Sequence, residues 1–188
     1  MRKLSMDELD RLSADGFAES AKLPVVAVLD NIRSLHNIGS FFRTADAFRI
    51  EAIYLCGITA CPPHREIQKT ALGATETVRW HYFENIEDAL LELKNQNYLL
   101  AAIEQTTESL HISSFEPTGK TALIFGNEVD GVDDKALHLC DLAVEIPQAG
   151  TKHSLNVAVC GGIVLWHCFQ RLARSEEHTS ELQSPNTI

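Results

Sequence analysis

The chain has 188 residues, 45% of them hydrophobic, and carries 16 Lys and Arg against 26 Asp and Glu for a formal net charge of −10. That length suits one domain with a sizeable core and excludes wholesale disorder. No stretch approaches the roughly 18 apolar residues of a membrane span, and the opening MRKLSMDELDRL lacks the apolar centre of a signal peptide, so the chain is expected in the cytoplasm without a membrane partner.

Residues 1–22 are read as a short N-terminal extension. Within it MDELDRL is either an amphipathic helix lying on the body or, with Arg2, Lys3 and Arg11, part of a basic patch. A β-branched run follows at 23–30 (LPVVAVLD), then a helix-period segment at 38–49, a strand at 51–58 and a helix at 64–72. The next pairs are strand 77–83 with helix 85–95, then strands 98–105 and 121–127. Helix 133–140 opens on the cap-like Asp133–Asp134, strand 142–147 follows, and helix 154–172 closes the series. This alternation predicts an α/β fold: a mostly parallel sheet with helices on both faces.

The end, RSEEHTSELQSPNTI, is polar and lacks helical apolar spacing. It resembles a translated sequencing adapter, so residues 175–188 are read as a non-native tail and 1–174 as the single domain. Setting the tail aside removes Glu176, Glu177 and Glu181 and no base, which leaves a charge of −7. Cys56, Cys61, Cys140, Cys160 and Cys168 form no C-x-x-C pair, and the eight histidines form no H-E-x-x-H. They are read as reduced core thiols and ordinary histidines, with no metal expected.

In parallel sheets ligands sit beyond the carboxyl ends of the strands. Three of the loops there combine glycine with Asn, Ser or charge. In NIRSLHNIGSFFRTADAF (31–48), Gly39 allows a close approach and Arg43 follows one turn later. Such an arginine can clamp a phosphate; equally, Gly39 can serve helix packing and Arg43 can be a solvated surface residue. In IFGNEVDGV, Gly126 and Gly131 bracket Glu128, either near a ligand or in a plain turn. In EIPQAGTKHSLNVAVCGG, Ser154 or Thr151 can cap the last helix and Asn156 falls in its first turn, an arrangement suited to an anion or to simple capping.

Taken in order, Asn37, Gly39 and Arg43, then Gly126, Asn127 and Glu128, then Ile146, Pro147, Ser154, Leu155 and Asn156 resemble the three motifs of the SpoU/TrmH family of SPOUT RNA methyltransferases, over roughly residues 23–172. The resemblance implies a SPOUT-type fold with a C-terminal trefoil knot, a homodimer, and S-adenosyl-L-methionine bound by Gly126, Ile146, Leu155 and Ile103. It implies methyl transfer to a ribose 2′-hydroxyl of tRNA or rRNA, with Arg43, Asn37, Glu128, Ser154 and Asn156 as catalytic residues. The family arginine is commonly assigned as general base, yet a guanidinium is a fixed cation. Arg43 is therefore expected to clamp the ribose-phosphate and stabilise the developing alkoxide, while Asn37, Ser154 and Asn156 hold geometry and Glu128 orients the loops.

The acidic balance runs against RNA binding. Arg33, Arg43, Arg49, His64, Arg65, Lys69, Lys152 and His153 nevertheless fall in or near these loops, while much of the acid lies in 84–92 and 128–145. With about 22 residues ahead of the first strand, the chain resembles the compact, standalone members of the family. A nucleotide-binding oxidoreductase is disfavoured because the loop after the first strand has no G-x-G-x-x-G. A non-catalytic RNA-binding or assembly protein on the same scaffold is the alternative, opposed by the joint presence of Asn37, Arg43, Glu128, Ser154 and Asn156.

Overall fold

The computed structural model describes residues 1–5, 7–9 and 11–183, with side chains other than those of residue 7 and residues 174–183. Among the described residues seven strands, β1 (Leu23–Asp30), β2 (Ile50–Cys56), β3 (Trp80–Phe83), β4 (Leu99–Ile103), β5 (Leu110–His111), β6 (Thr121–Phe125) and β7 (Leu142–Glu145), form one sheet in the order β3-β2-β1-β6-β4-β7-β5. All six strand pairings are parallel. The helices are α1 (Ala14–Glu19), α2 (Leu35–Ala47), α3 (Arg65–Ala71), α4 (Ala74–Thr77), α5 (Ile86–Asn95), α6 (Asp134–Leu139) and α7 (Val157–Gln183).

β1 is apolar at seven of eight positions because it is covered on both faces, and Val28 pairs with Tyr54 of β2 on one side and Ile124 of β6 on the other. The period-2 alternation of the strands feeds two cores. Ala27, Leu29, Phe125 and Leu123 meet α2, α3 and α7, while Val26, Val28, Leu100 and Ile124 meet α5 and α6. In α2 the residues Ile38, Phe41, Phe42 and Ala45 recur at helical spacing and are buried, and the Phe41 and Phe125 rings sit 5.0 Å apart. Truncating a fully buried phenylalanine such as Phe42 to alanine costs roughly 3–5 kcal/mol, so this face dominates the stability of the half of the sheet that carries β1.

Several sequence expectations shift. Strand 77–83 begins only at Trp80, because Thr77 closes α4, a turn entered through Gly73 at φ +91°. β5 was not expected: it is two exposed residues without a pattern. The MDELDRL stretch is a 3₁₀ turn at Asp7–Leu9 rather than a helix, and its Met6 and Asp10 lie outside the described residues. Asp133 caps α6 as expected, its side chain accepting from the Lys135 N–H. The last helix starts at Val157, not 154, and its backbone stays helical through Gln183. No proline or glycine interrupts residues 174–183, so helix propagation continues past the apolar pattern. Residues 184–188 of the expected tail lie outside the described residues.

Strand order positions the site. β6 inserts between β1 and β4, and β7 pairs with β4 on its other side. The carboxyl ends of β1, β6, β4 and β7 therefore stand side by side, and the loops that leave them converge.

Candidate active site at the carboxyl ends of four strands

The loop after β1 turns at Asn31, a non-glycine residue at φ +54°, whose carbonyl accepts from Asn127 Nδ2 at 2.7 Å. Asn127 opens the loop after β6. Its side-chain Oδ1 accepts from the Val129 N–H at 2.9 Å, and its backbone pairs with Gly131 in both directions. Gly126 is required here, since a Cβ would lie 2.1 Å from the Gly131 carbonyl carbon and oxygen. The two glycines bracketing Glu128 thus build a closed backbone loop rather than a flexible one.

Glu128 reaches out of that loop to the start of α2. One carboxylate oxygen accepts the Arg33 N–H at 3.0 Å; the other accepts the Ser34 N–H at 3.1 Å and Asn37 Nδ2 at 3.0 Å. It meets N–H groups at a helix N-terminus, where negative charge is favoured. Partial burial pulls its pKa up, but the bonds from the Arg33 backbone, the Asn37 side chain and the Ser34 backbone outweigh this, so the group is held below the ordinary carboxylate range. Asn37, buried, passes the link on: its Oδ1 accepts from Asn156 Nδ2 at 3.1 Å. Asn156 caps α7, its Oδ1 accepting from the Ala158 and Val159 N–H groups at 2.9 and 3.2 Å. Asn156 therefore takes the capping role expected of Ser154 or Thr151, because α7 begins three residues after Ser154, and Ser154 is exposed.

Beside this network lies a cleft of about 460 Å³. Gly126, Ile146, Leu155 and Ile103 all line it, as do Glu128 and Ser154. Asn37 and Asn156 stand behind it, joined to it through Glu128. Arg43 is not part of the lining. It sits two turns along α2, exposed, and its side chain makes no hydrogen bond or ion pair among the described residues. Gly39 serves helix packing: a Cβ there would lie 2.0 Å from Thr70 Oγ1 and 2.3 Å from the Ile67 carbonyl oxygen, so it lets α2 touch α3. Of the basic residues expected near the site, Lys69 is engaged by Glu66 at 2.7 Å, an ion pair that His36 of α2 joins at 3.2 Å, whereas Arg33, Arg43 and Arg65 are exposed.

Sequence reasoning missed Glu104. It follows Ile103 at the end of β4, lines the cleft, and accepts from the Val132 N–H at 3.0 Å. The available signal was a carboxylate placed at the end of an apolar strand. Cys160 also lines the cleft; burial, aided by the Glu104 charge, pushes its thiol up to about 11, which makes it a neutral wall and not a nucleophile. All five cysteines are free, and among the described residues no group of three or more His, Cys, Asp or Glu is placed to hold a metal ion.

A parallel α/β sheet with a preformed, loop-walled cleft at converging strand ends belongs to the ligand-binding class of such folds. Residues 24–166 match the SpoU rRNA Methylase family, and the chain belongs to that family. It is 31% identical over 174 residues to the 23S rRNA (guanosine-2′-O-)-methyltransferase RlmB of Vibrio vulnificus, covering 92% of this chain and 68% of that one. The structure superposes on the A. aeolicus TrmH/SpoU tRNA modifying enzyme with a TM-score of 0.77 at 26% identity, covering 87% and 82% of the two chains. It also superposes on an AdoMet-bound rRNA methyltransferase from Sinorhizobium meliloti with a TM-score of 0.74 at 26% identity, covering 86% and 62%.

Proposed function

We propose that the chain is an S-adenosyl-L-methionine-dependent RNA methyltransferase that methylates a ribose 2′-hydroxyl in tRNA or rRNA, acting as a cytoplasmic homodimer. The observation that carries this reading is the bonded path from Glu128 through Asn37 to Asn156, which locks three strand-end loops around one cleft. The cofactor fits that cleft. At about 460 Å³ its volume falls in the range of roughly 300–1,000 Å³ typical of small-molecule sites. Its walls offer backbone groups of the tight Gly126–Gly131 loop beside the apolar Ile103, Ile146 and Leu155.

Bound there, the cofactor would supply an already activated methyl group, which leaves the protein to orient a ribose and to manage one proton. Arg43, charged and exposed with no partner among the described residues, is free to engage the phosphate next to the reacting sugar and to stabilise an alkoxide forming on the 2′-oxygen. Glu128 is not the base in this scheme. Its two oxygens already accept three N–H donors, so it holds the 31–37 segment against the 126–131 loop. Asn156 fixes the amide of Asn37 and starts α7, and Ser154, exposed at the cleft rim, faces the incoming sugar.

Homodimer formation is supported by α7. Val159, Ile163 and Trp166 are 54, 39 and 46% exposed and recur on one helical face, a surface that a second copy would cover. Pairing would also double the exposed arginines that an acidic chain can offer RNA. The domain is proposed to span 1–174 with 175–188 outside it, since the apolar spacing of the last helix stops after Leu172 and the sequence that follows is polar. A C-terminal trefoil knot suits the path of the chain, which places β6 and β7 on either side of the earlier β4 and then returns α7 to α2.

Calorimetry and a methyl-transfer assay with labelled S-adenosyl-L-methionine and bulk tRNA or rRNA test this. Binding of the cofactor with transfer to RNA is expected. Binding of NAD without S-adenosyl-L-methionine would sink the reading, and cofactor or RNA binding with no transfer would favour the non-catalytic alternative.

A further inference from the structure

The cleft is lined by five carboxylates, Glu104, Glu128, Asp130, Asp134 and Glu145, and by no lysine or arginine among the described residues. Four of the five are engaged elsewhere or solvated. Glu128 is turned onto the 31–37 segment, Glu145 accepts from Ser109 Oγ at 3.0 Å, and Asp130 and Asp134 are exposed. Glu104, half-buried like Glu145, differs in that both of its oxygens are fixed by backbone N–H groups beside the cleft. Its Oε1 accepts the Gln105 N–H at 2.8 Å and its Oε2 the Val132 N–H at 3.0 Å. A Cβ on Gly131 would lie 2.3 Å from that Oε2, so the carboxylate is wedged under the loop that forms one wall of the cleft. Each oxygen takes one N–H and keeps a lone pair for a ligand. Its charge is felt inside the cleft, where it helps raise the Cys160 thiol.

We propose that Glu104 is a specificity-determining residue that makes the cleft prefer the cationic methyl donor to its neutral thioether product. This rests on the reading of the cleft as the methyl-donor site. S-adenosyl-L-methionine carries a sulfonium charge beyond its amino-acid zwitterion; once the methyl group has moved to oxygen and the C–S bond electrons have returned to sulfur, that charge is gone. A fixed carboxylate in a half-buried cleft attracts the first and is indifferent to the second. Transfer itself thereby loosens the product and favours its exchange for fresh donor.

The test is calorimetry on the full chain with S-adenosyl-L-methionine and with S-adenosylhomocysteine, for wild type, Glu104→Gln, Glu104→Asp and Asp130→Asn. Glu104→Gln is expected to weaken the donor about tenfold and the product less than about twofold, while Glu104→Asp keeps most of the preference. Asp130→Asn removes an equally negative but solvent-screened charge and should leave the ratio unchanged. Equal weakening of both ligands would overturn the proposal and make Glu104 a loop-positioning residue; no change would overturn it as well. Should Glu104→Gln fail to fold, Glu104→Asp decides: a donor-to-product ratio that stays near that of wild type supports the charge, and a ratio that falls to one although the charge is kept refutes it. Wild type that binds neither compound overturns the methyl-donor reading itself, and this proposal with it.

Discussion

Replacing Glu128 by glutamine removes a charge while preserving shape, and the bonds around the carboxylate set the size of the loss. It accepts from the Arg33 N–H, the Ser34 N–H and Asn37 Nδ2 at 3.0, 3.1 and 3.0 Å. Glutamine keeps one acceptor oxygen and turns an amide toward N–H donors. Bonds to a charged acceptor contribute about 1.5–3 kcal/mol each when shielded, but Glu128 is exposed, so solvent screening brings the sum for the three down to roughly 1–3 kcal/mol. For a domain of this size that corresponds to a melting temperature lower by about 2–10 °C. Because the folded-state pKa is depressed, the stabilisation is fully present above the ordinary carboxylate range and is lost as pH falls through the folded pKa. Thermal unfolding of wild type and Glu128→Gln followed by circular dichroism at pH 7 and near pH 3 should therefore show a gap that closes on acidification. Identical melting at pH 7, or a gap that does not narrow in acid, would refute the role given to this carboxylate.

Asp30 predicts the opposite sign. It is 2% exposed, and its pKa is raised to about 6, chiefly by burial and further by Asp133 and Glu87 against the lowering bond from Asn31. Its ionisation thus opposes folding increasingly above the unfolded value, and Asp30→Asn should stabilise the protein at pH 8 by roughly 2–3 kcal/mol and little at pH 4, measured by urea unfolding at both. Gly39→Ala must displace Thr70 Oγ1 and the Ile67 carbonyl; a loss of about 1–3 kcal/mol in the same assay is expected, and an unchanged midpoint would contradict the packing role. Trp166→Glu places a charge on the exposed face of α7 and should convert a dimer to a monomer in light scattering, whereas a monomeric wild type would remove the homodimer.

The strands buried on both faces were legible because burial leaves continuous β-branched runs, and β1 begins and ends where LPVVAVLD does. β5 was not, since two exposed residues carry no period, and the start of β3 was misplaced because the β-branched Thr77 favours a strand while the turn at Gly73 draws it into α4. The motif residues could be picked out, yet their division of labour could not. Whether Gly39 serves a ligand or a neighbouring helix is decided by the position of Thr70 in α3, which no local pattern encodes. The partnership of Glu128 with Asn37, 91 positions apart, depends on β6 inserting beside β1. Glu104 stayed hidden because a single carboxylate after an apolar strand acquires meaning only once the cleft beside it exists.

The most direct measurement is nucleoside mass spectrometry of tRNA and rRNA incubated with S-adenosyl-L-methionine and either wild type, Arg43→Ala or Arg43→Lys, with cofactor affinity measured in parallel. A 2′-O-methylated nucleoside should form with wild type, vanish in Arg43→Ala while cofactor affinity stays nearly intact, and return in part with Arg43→Lys, because the fixed positive charge matters more than the planar fork. Methylation of a base instead of a ribose, or full activity in Arg43→Ala, would contradict the assignment.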